Sequence, residues 1–571
     1  MWLIDTSTLK LRFVTEAEKG SYAILSHTWG EDEVSFEQFR NLSPQSWLDD
    51  EQRKKAFVKI AKTCELASQH GLPYAWVDTC CIDKTSSAEL SEAINSMFRY
   101  YQNAAFCIAL ISDLPNAPDG SGLAAHFESQ FPRCRWLTRG WTLQELIAPP
   151  KVLFYDSSWA FRGSKHDWKP LLAKETGVDE AILVDSSGLR FIPVARRMSW
   201  ASTRQTTRTE DMAYCLLGIF DVNMPLIYGE GRKAFMRLQE EIAKDSCDLS
   251  LFAWQQTDSS QKYRGVLATS VAEFLNCREI KHRIQGAIIP TEFSLTNRGL
   301  RIETALVNVP SSSDNFILNL GFSYRDDWPI YSSRGWLGVH LAKTNNGFVR
   351  ARPDRLFQAD EQGRLRCPPG LIHIRKTVDP SDSAEIERRF DRAIRVELSK
   401  SLGRPGAFRL ERVAPEGLWV ENQASFLHQG RGINAYIQCG IRLSDHIDES
   451  IIVACSTMGD PVCAIWHSHD NVWGSVAYFL NNCNERADFV AVDYLRVHFL
   501  SREGHFTSTA TKRLDSQETG NSIFISAELK EDTDEGGRSQ FILHIHAWAP
   551  HQADGEPDGV YNKLLKSLRI S

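Results

Sequence analysis

The sequence predicts an α/β fold in its amino-terminal part and a β-rich fold in its carboxy-terminal half. Continuous apolar runs that alternate with amphipathic helical patterns predict the first, and many short β-branched runs set off by Gly, Pro, Asn and Asp predict the second. The pattern changes near Asp248. We therefore expect a parallel α/β core over residues 1–160, a helical continuation over residues 161–248, and a β-rich sandwich or barrel over residues 249–571.

Four apolar runs have the form of strands that are buried on both faces of a parallel sheet. They are "YAILS", "YAWVD", "AFCIALIS" and "KVLFYD". Strands and helices that alternate in this way form a doubly wound, flavodoxin-like sheet with flanking helices, in which ligands bind beyond the carboxyl ends of the strands. We therefore expect the polar residues that follow the strands to share one rim, among them Ser26, His27, Trp29 and Asp78.

Two helical patterns separate the first three runs. In the first pattern, apolar residues recur at helical spacing and precede a glycine cap: Phe57, Ile60, Cys64, Ala67 and Gly71. The second pattern begins with a capping box formed by Ser86 and Glu89. Both patterns predict helices that pack one face against the sheet.

The segment "RCRWLTRGWTLQELIAPP" places one carboxylate among apolar residues. Trp141 and Glu145 are four residues apart and therefore share one face of a helix, which a proline pair ends. An anion in the last turn is disfavoured by the helix dipole, so Glu145 does not serve helix stability. It is a candidate catalytic group, and the alternative is an ion pair with Arg139 or Arg135.

Three weaker patterns concern other chemistry. A thiol hydrolase built on Cys80 or Cys81 with His27 as base stays open, although buried structural cysteines are commoner. The histidines of "WHSHD" and "HIHAW" have no evident third ligand, so we predict no metal site. "GEGRKA" matches the loose dinucleotide fingerprint, but it follows no predicted strand, so we predict a plain helix start there.

The overall composition argues against several classes of protein. The net charge is -7 without long like-charged runs, which disfavours binding to nucleic acid. The thirteen cysteines show no C-x-x-C spacing, and we expect them to be reduced and mostly buried. The start of the chain lacks a signal-peptide pattern, and the apolar run "AAFCIALI" is too short to span a bilayer. We therefore expect a cytoplasmic protein that does not bind membranes.

Five linked motifs resemble, in order and spacing, the fungal heterokaryon-incompatibility (HET) domain. They begin "YAILSHTWGEDEVSF", "YAWVDTCCIDK", "RWLTRGWTLQEL", "RMSWASTRQTTRTEDMAY" and "PLIYGEGRKAFMRL", and the resemblance covers about Tyr22 to Ile242. It implies a protein of fungal self/non-self recognition that triggers programmed cell death when genetically different hyphae fuse. The carboxy-terminal half resembles only the β-rich extension that often follows this domain.

The HET domain in turn is similar to TIR domains. "YAILSHTWGED" and "YAWVD" parallel the first two TIR strands, and "RGWTLQEL" parallels the TIR run in which a tryptophan precedes an acid by four. TIR NAD hydrolases use that acid, so the resemblance implies that Glu145 is catalytic. It also implies NAD as substrate, no cofactor, and activation by self-association or by another incompatibility protein. This sequence departs from the TIR pattern in a long insert between Pro115 and Arg133.

With NAD as the substrate, the residues expected around it are Ser26, His27, Trp29, Asp78, Arg139 and Trp141. A tryptophan would stack on a ring, an arginine would meet the pyrophosphate, and the other three would complete the rim. Two other interpretations stay open. The HET region is a non-catalytic interaction module in one, and in the other it is an enzyme recruited to a specialised-metabolite pathway.

Overall fold

The computed structural model describes residues 1–15, 19–30, 32–41, 51–116, 123–258, 260–282, 292–308, 316–324, 335–344, 347–359, 369–390, 393–398, 408–414, 419–420, 424–426, 434–444, 447–457, 461–467, 508–515, 522–533 and 539–548. The chain divides into two compact units. The first comprises Met1–Val307, Phe316–Ala342 and Gly347–Asp379, and the second comprises Asn308–Asn315, Lys343–Asn346 and Pro380–Ser571. The division differs from the boundary drawn near Asp248, because strands up to Ile374 share the core of the first unit.

The first unit begins with a seven-stranded sheet in the order β2-β1-β4-β3-β5-β6-β7. Its strands are β1 Trp2–Asp5, β2 Leu11–Phe13, β3 Tyr22–His27, β4 Tyr74–Trp76, β5 Phe106–Leu110, β6 Val152–Tyr155 and β7 Phe161–Ser164. The four central strands, β4, β3, β5 and β6, are parallel to one another. If these four strands are numbered 1 to 4 along the chain, their order in the sheet is 2-1-3-4. A flavodoxin-like sheet has the same order in its first four strands. The relationship to TIR domains stays a prediction.

The four parallel strands are the four apolar runs singled out in the sequence. All residues of β3, β5 and β6 are buried, as expected for strands covered on both faces. The antiparallel strands β1, β2 and β7 extend the sheet at its two edges, and the sequence analysis did not predict them. These strands are only three or four residues long, so they carry little periodicity.

The helices before residue 150 are α1 Phe36–Asn41, α2 Glu51–Gln69, α3 Ser87–Asn103, α4 Leu123–Gln130, α5 Arg135–Thr138 and α6 Thr142–Ile147, with a 3₁₀ helix at Phe131–Arg133. The predicted apolar stripe of α2 is buried at Phe57, Ile60, Cys64 and Ala67. Gly71 ends it with a positive φ of 72°, and the Ser86 hydroxyl accepts from the Glu89 amide to cap α3. Both helix predictions are confirmed.

A helical region follows the sheet. Its α-helices are α7 Lys169–Thr176, α8 Glu180–Val184, α9 Val194–Ser199, α10 Asp211–Tyr214, α11 Leu217–Phe220 and α12 Lys233–Asp245. Short 3₁₀ helices span Ser186–Phe191, Leu249–Phe252 and Val271–Cys277. The buried side of α12 includes Phe235, Leu238 and Ile242, which join the core of the first unit. The amphipathic pattern predicted for "RKAFMRLQEEIAK" therefore packs as expected.

The remainder of the first unit is rich in β-structure. Its strands are β8 Tyr263–Arg264, β9 Ile280–His282, β10 Phe293–Thr296, β11 Gly299–Thr304, β12 Val307–Asn308, β13 Phe316–Asn319, β14 Phe322–Tyr324, β15 Trp336–Thr344, β16 Gly347–Ala351, β17 Phe357–Ala359 and β18 Gly370–Ile374. Nine of them form a sheet with the main order β10-β11-β18-β16-β15-β13-β12, in which β17 pairs with β15 and β8 with β16. Strands β9 and β14 pair separately.

The second unit contains helix α13 Pro380–Phe390 and two sheets. Its strands are β19 Ile394–Leu398, β20 Phe408–Ala414, β21 Trp419–Val420, β22 Ser425–Phe426, β23 Asn434–Ser444, β24 Ile447–Ser456, β25 Val462–His467, β26 Thr509–Asp515, β27 Ser522–Thr533 and β28 Ser539–Trp548. The sheets have the orders β21-β22-β19-β28-β27-β26 and β20-β23-β24-β25. Buried residues of both, such as Leu543 and Val453, share one core, as in a β-sandwich.

Two sequence-based expectations bear on the whole chain. All cysteines in the described ranges are free, and all of them except Cys247 are buried. None of the described helices has both the length and the apolar character that crossing a membrane requires.

Candidate active site at the carboxyl ends of the parallel strands

Ser26 and Glu145 form the centre of the site. Ser26 lies near the carboxyl end of β3, and its hydroxyl donates to Glu145 Oε2 at 2.5 Å. The indole Nε1 of Trp136 donates to the same serine oxygen at 2.8 Å. All three side chains are buried, so a hydrogen-bonded carboxyl group lies where a doubly wound sheet places its ligands.

The short helix α6 positions Glu145. All six residues of α6 are buried, and the Glu145 amide donates to the Trp141 carbonyl at 3.4 Å, which gives these two residues the expected helical spacing. The helix ends at Ile147, just before the proline pair, as predicted. The Trp141 side chain is half-buried and hydrogen bonds to Asp211.

Two buried cations hold the ends of α6. Arg204 Nη1 donates to the Arg139 carbonyl at 2.8 Å and to the Thr142 hydroxyl at 2.9 Å, at the start of the helix. Lys165 Nζ donates to the carbonyls of Leu146 at 3.2 Å and Pro149 at 2.5 Å, at its end. Burial lowers the pKa of Arg204 to about 10 and that of Lys165 to about 8. The Lys165 bonds satisfy carbonyl groups at the end of α6, and the Arg204 bonds tie the first residue of α6 to the segment before it.

Burial raises the pKa of Glu145 from 4.5 to about 8. The Ser26 hydrogen bond lowers this pKa and the charge of Asp78 raises it, while a hydrogen bond from Tyr101 and the charge of Arg139 lower it. Desolvation of the carboxylate is the largest of these effects. The resting protein therefore holds Glu145 mainly protonated at neutral pH.

The alternative for Glu145, an ion pair with an arginine, is not observed. Arg139 Nη1 donates to the Thr207 hydroxyl at 3.1 Å and interacts with Glu145 only through its charge. Arg135 uses its backbone amide, which donates to Asp113 Oδ2 at 2.8 Å. In the described structure neither guanidinium neutralises the carboxyl group.

A second polar cluster surrounds His27, the last residue of β3. His27 Nε2 lies 3.4 Å from Glu33 Oε2, and His27 Nδ1 lies 3.8 Å from Asp78 Oδ1. Burial raises the pKa of Glu33, but the contacts with His27, the Gly30 amide and Lys59 outweigh burial and hold this pKa at about 2. Glu33 is therefore an anchored anion beside the imidazole.

Trp29 lies over the same cluster. Its indole Nε1 donates to Asp78 Oδ2 at 2.7 Å, and Lys84 Nζ lies 3.8 Å from the centre of its ring. This cation–π contact and the hydrogen bond fix the indole, although 44% of Trp29 is exposed. Burial lowers the pKa of Lys84. Trp29 is thus an exposed aromatic surface with a fixed orientation.

The structure brings together Ser26 with Glu145, and His27 with Trp29 and Asp78. Asp78 connects the two groups through its charge on Glu145. Sequence reasoning missed Tyr101, Trp136 and Arg204 as contributors. Tyr101 lies on α3, where its hydroxyl donates to the Leu25 carbonyl at 2.9 Å and also influences the pKa of Glu145.

The structure does not favour a thiol hydrolase. Cys80 and Cys81 are buried, and their sulfur atoms bond to the backbone of Val77 rather than to His27. Burial raises the pKa of the Cys80 thiol well above its usual value, which suppresses the nucleophilic thiolate.

The glycine amides of the "GEGRKA" segment bind a carboxylate of the protein itself. The amides of Gly229 and Gly231 both donate to Glu210 Oε1, at 2.8 Å and 3.0 Å. A carboxylate of the chain therefore takes the place that a phosphate group would need, as the prediction of a plain helix start implies.

The histidine motifs give no metal site in the described ranges, where no group of three or more His, Cys, Asp or Glu side chains is placed to hold an ion. His469 and Asp470 of "WHSHD" lie outside the described residues. In "HIHAW", the rings of His544 and His546 stack with centres 6.1 Å apart, and His544 Nδ1 lies 3.3 Å from Glu397 Oε2.

Part of the insert between Pro115 and Arg133 is core. Phe127 of α4 stacks on Phe131 and on Trp168, with ring centres 4.6 Å and 4.5 Å apart. Residues 117–122 of the insert lie outside the described residues.

Two parts of the chain match known protein families. Residues 22–125 match the family described as "Heterokaryon incompatibility protein (HET)", and residues 233–293 match a domain of unknown function, DUF8212. Residues 22–125 therefore match the HET domain, within the region where the sequence motifs predicted it.

A relative and two solved structures give further comparisons. The chain is 45% identical over 227 residues to the vegetative incompatibility protein HET-E-1 of Podospora anserina. The match spans 39% of this chain and 16% of that protein. Two structures of the Xerocomus chrysenteron lectin XCL, wild-type and mutated, each align with 27% of this chain and with 96% and 95% of the lectin. Their identities are 15% and 10%, and their TM-scores are 0.17 and 0.16.

Proposed function

We propose that this protein acts in fungal self/non-self recognition and programmed cell death by hydrolysing the nicotinamide glycosidic bond of NAD, with Glu145 as the catalytic group. Self-association, or association with another incompatibility protein, turns the activity on. The HET domain and the similarity to HET-E-1 support the biological role. The observation that carries the chemistry is the buried carboxyl group of Glu145, which Ser26 holds at the strand ends and which pairs with neither Arg135 nor Arg139 in the described structure.

The proposed reaction requires little more than one carboxylate. The bond between nicotinamide nitrogen and the ribose carbon breaks, nicotinamide leaves as a neutral molecule, and a water oxygen bonds to that carbon and releases one proton. The transition state resembles an oxocarbenium ion, which an ionised carboxylate stabilises. The positively charged nicotinamide ring of bound NAD favours ionisation of Glu145, so substrate binding lowers the pKa that burial has raised.

The other predicted residues have assigned places in this proposal. Trp29 or Trp141 stacks on a ring, and Arg139 or Arg135 meets the pyrophosphate. Glu145 is only 8% exposed in the resting structure, and the association of chains is the step that opens its approach.

Nicotinamide release from NAD by the full chain, at concentrations that promote association, tests the proposal. We expect release by the wild type, loss of release in Glu145→Gln, and unchanged release in Glu128→Gln, which alters an exposed glutamate of α4. If the concentrated wild type releases no nicotinamide while Glu145→Gln still abolishes toxicity in cells, Glu145 serves an interface of a non-catalytic module. Loss of another metabolite without cell death would point to a recruited biosynthetic enzyme.

A further inference from the structure

Two buried polar atoms of the cluster around His27 have no hydrogen-bond partner in the described part of the chain. They are His27 Nδ1 and Asp78 Oδ1. The His27 side chain is only 1% exposed. A buried polar atom without a partner costs roughly 1–3 kcal/mol, so this pair is an unfavourable arrangement for the resting fold alone.

The other polar atom of each side chain, His27 Nε2 and Asp78 Oδ2, already has a partner. These contacts fix the orientation of both side chains and therefore the positions of the two unpartnered atoms. His27 Nε2 faces Glu33 Oε2 at 3.4 Å, and Glu33 is itself held by Lys59 and the Gly30 amide. Asp78 Oδ2 accepts from Trp29 Nε1 at 2.7 Å. The imidazole and the carboxylate are therefore oriented before any ligand arrives.

The separation of the two atoms suits one hydroxyl group. At 3.8 Å, His27 Nδ1 and Asp78 Oδ1 are too far apart for a hydrogen bond to each other. One oxygen atom at about 2.8 Å from each would bond to both. When both ring nitrogens of His27 carry a proton, Nε2 donates to the Glu33 carboxylate and Nδ1 is also a donor. A hydroxyl can then donate to Asp78 Oδ1 and accept from His27 Nδ1 at once, which an amide nitrogen or a carboxylate cannot do.

Trp29 supplies the second half of a nucleoside site. Its indole is fixed by Asp78 and by Lys84, yet 44% of the residue is exposed. Base–aromatic stacking contributes about 1–3 kcal/mol per base in other proteins. Trp141, in contrast, is less exposed than Trp29 and packs against the core of the first unit. The two tryptophans are therefore not equivalent, and Trp29 is the one available for stacking.

We propose that His27 Nδ1 and Asp78 Oδ1 together bind a ribose hydroxyl of a nucleoside, whose ring stacks on Trp29. This inference rests on the proposed function for the identity of the sugar, and it makes the site selective for ribosides over deoxyribosides. His27 and Asp78 are then specificity residues, and Glu145 remains the group that acts on the glycosidic bond.

Binding measured by calorimetry tests the proposal in the full-length Glu145→Gln chain, which removes turnover. The probes are nicotinamide riboside and its 2′-deoxy and 3′-deoxy analogues. We expect at least about a tenfold loss of affinity for one deoxy analogue. We also expect this discrimination to disappear when Asp78→Ala is added, and to persist when the exposed Asp32 of the same rim is changed to alanine.

Equal affinities for the riboside and both analogues, or no binding of any of them, would overturn the proposal. The comparison among analogues leaves Asp78 intact, so it stays decisive even if Asp78→Ala does not fold. The proposed function fails separately: hydroxyl-dependent binding without NAD turnover by the wild type keeps this subsite and excludes the hydrolase. Turnover with hydroxyl-independent binding excludes only the subsite.

Discussion

Ser26 and Glu145 lie 119 residues apart in the chain, and the serine hydroxyl donates to the glutamate carboxyl at 2.5 Å. The end of a parallel strand and a short helix that follows two strands later meet at this bond. The indole of Trp136 donates to the same serine oxygen, so Ser26 is itself held in place. The carboxyl group is thereby fixed in an environment that favours its neutral form.

Replacing Glu145 with glutamine should stabilise the protein increasingly as the pH rises from 5 to 8. Burial holds the pKa of the folded state at about 8, above the ordinary value of 4.5. Between these values the folded state binds a proton that the unfolded state has released, so the free energy of unfolding falls with pH. The slope is at most about 1.4 kcal/mol per pH unit, and glutamine abolishes it.

Hydrogen exchange of the amides of β3 and β5 measures this effect in the first unit alone. The difference between Glu145→Gln and wild type should be smallest at pH 5 and largest at pH 8. The exposed control Glu128→Gln should give a difference that does not change with pH. A constant difference for Glu145→Gln would mean that the carboxyl group titrates near its ordinary pKa.

Removing the Ser26 hydroxyl should raise the pKa of Glu145 above about 8, because the hydrogen bond from Ser26 lowers this pKa. The titration of Glu145 can be followed by NMR with 13Cδ-labelled glutamate, assigned by comparison with Glu145→Gln. In Ser26→Ala the midpoint should move to higher pH. Ser112→Ala is the control, because Ser112 pairs with Thr28 and not with Glu145.

The same substitution has a kinetic consequence under the proposed hydrolysis. If only ionised Glu145 acts, the acidic limb of the kcat/KM profile for nicotinamide release follows the pKa of the free enzyme and should move upward with it. A midpoint unchanged in Ser26→Ala would contradict the role assigned to this hydrogen bond.

The sequence was sufficient to predict the parts of the fold that rest on local pattern. The four parallel strands were found because buried strands read as continuous apolar runs. Glu145 was singled out because a lone carboxylate beside apolar residues is conspicuous, and its catalytic role stays a prediction. The edge strands β1, β2 and β7 escaped prediction because three or four residues carry no usable period.

The tertiary contacts of the site were beyond sequence reasoning. Trp136 bonds to a serine 110 residues earlier, and Arg204 bonds to Thr142 from 62 residues later. The spacing of residues in a sequence predicts contacts within one helix or strand. It does not predict contacts between residues that are far apart in the chain. The end of the first unit near Asp379 was missed for the same reason, since strands on both sides of the division look alike in sequence.

Gly140 should tolerate no side chain unless Thr206 is trimmed. A Cβ atom at Gly140 would lie 2.5 Å from Thr206 Cγ2 and 3.1 Å from Cys215 Sγ, while its amide donates to the Gln205 carbonyl at 2.8 Å. Gly140→Ala should therefore destabilise the first unit by about 1–3 kcal/mol and displace the start of α6.

Thr206→Ser provides the rescue for this variant. Serine lacks the methyl group that clashes but keeps the hydroxyl that donates to the Arg208 carbonyl at 2.6 Å. Chemical denaturation should show that Gly140→Ala with Thr206→Ser recovers most of the lost stability. Additive effects of the two changes would show that another contact makes alanine unacceptable.

Arg204 should be essential for the start of α6. Its guanidinium donates to the Arg139 carbonyl and the Thr142 hydroxyl, and it is buried. Arg204→Met keeps an unbranched apolar side chain but leaves both acceptors without this donor, so we expect a loss of about 2–3 kcal/mol in the free energy of unfolding. Under the proposed function, Arg204→Met should also release nicotinamide more slowly than the wild type, because Glu145 lies on the helix that Arg204 holds.

Two further variants test whether the loss of stability in Arg204→Met comes from the hydrogen bonds of Arg204. Arg204→Lys keeps the charge but has a single nitrogen, so it loses the bond that Arg204 Nε donates to the Trp200 carbonyl and should be intermediate. Arg190→Met removes an exposed arginine and should change stability by less than about 0.5 kcal/mol. A value for Arg204→Met within that small range would mean that the packing of its six buried residues and the bonds from Lys165 hold α6 without Arg204.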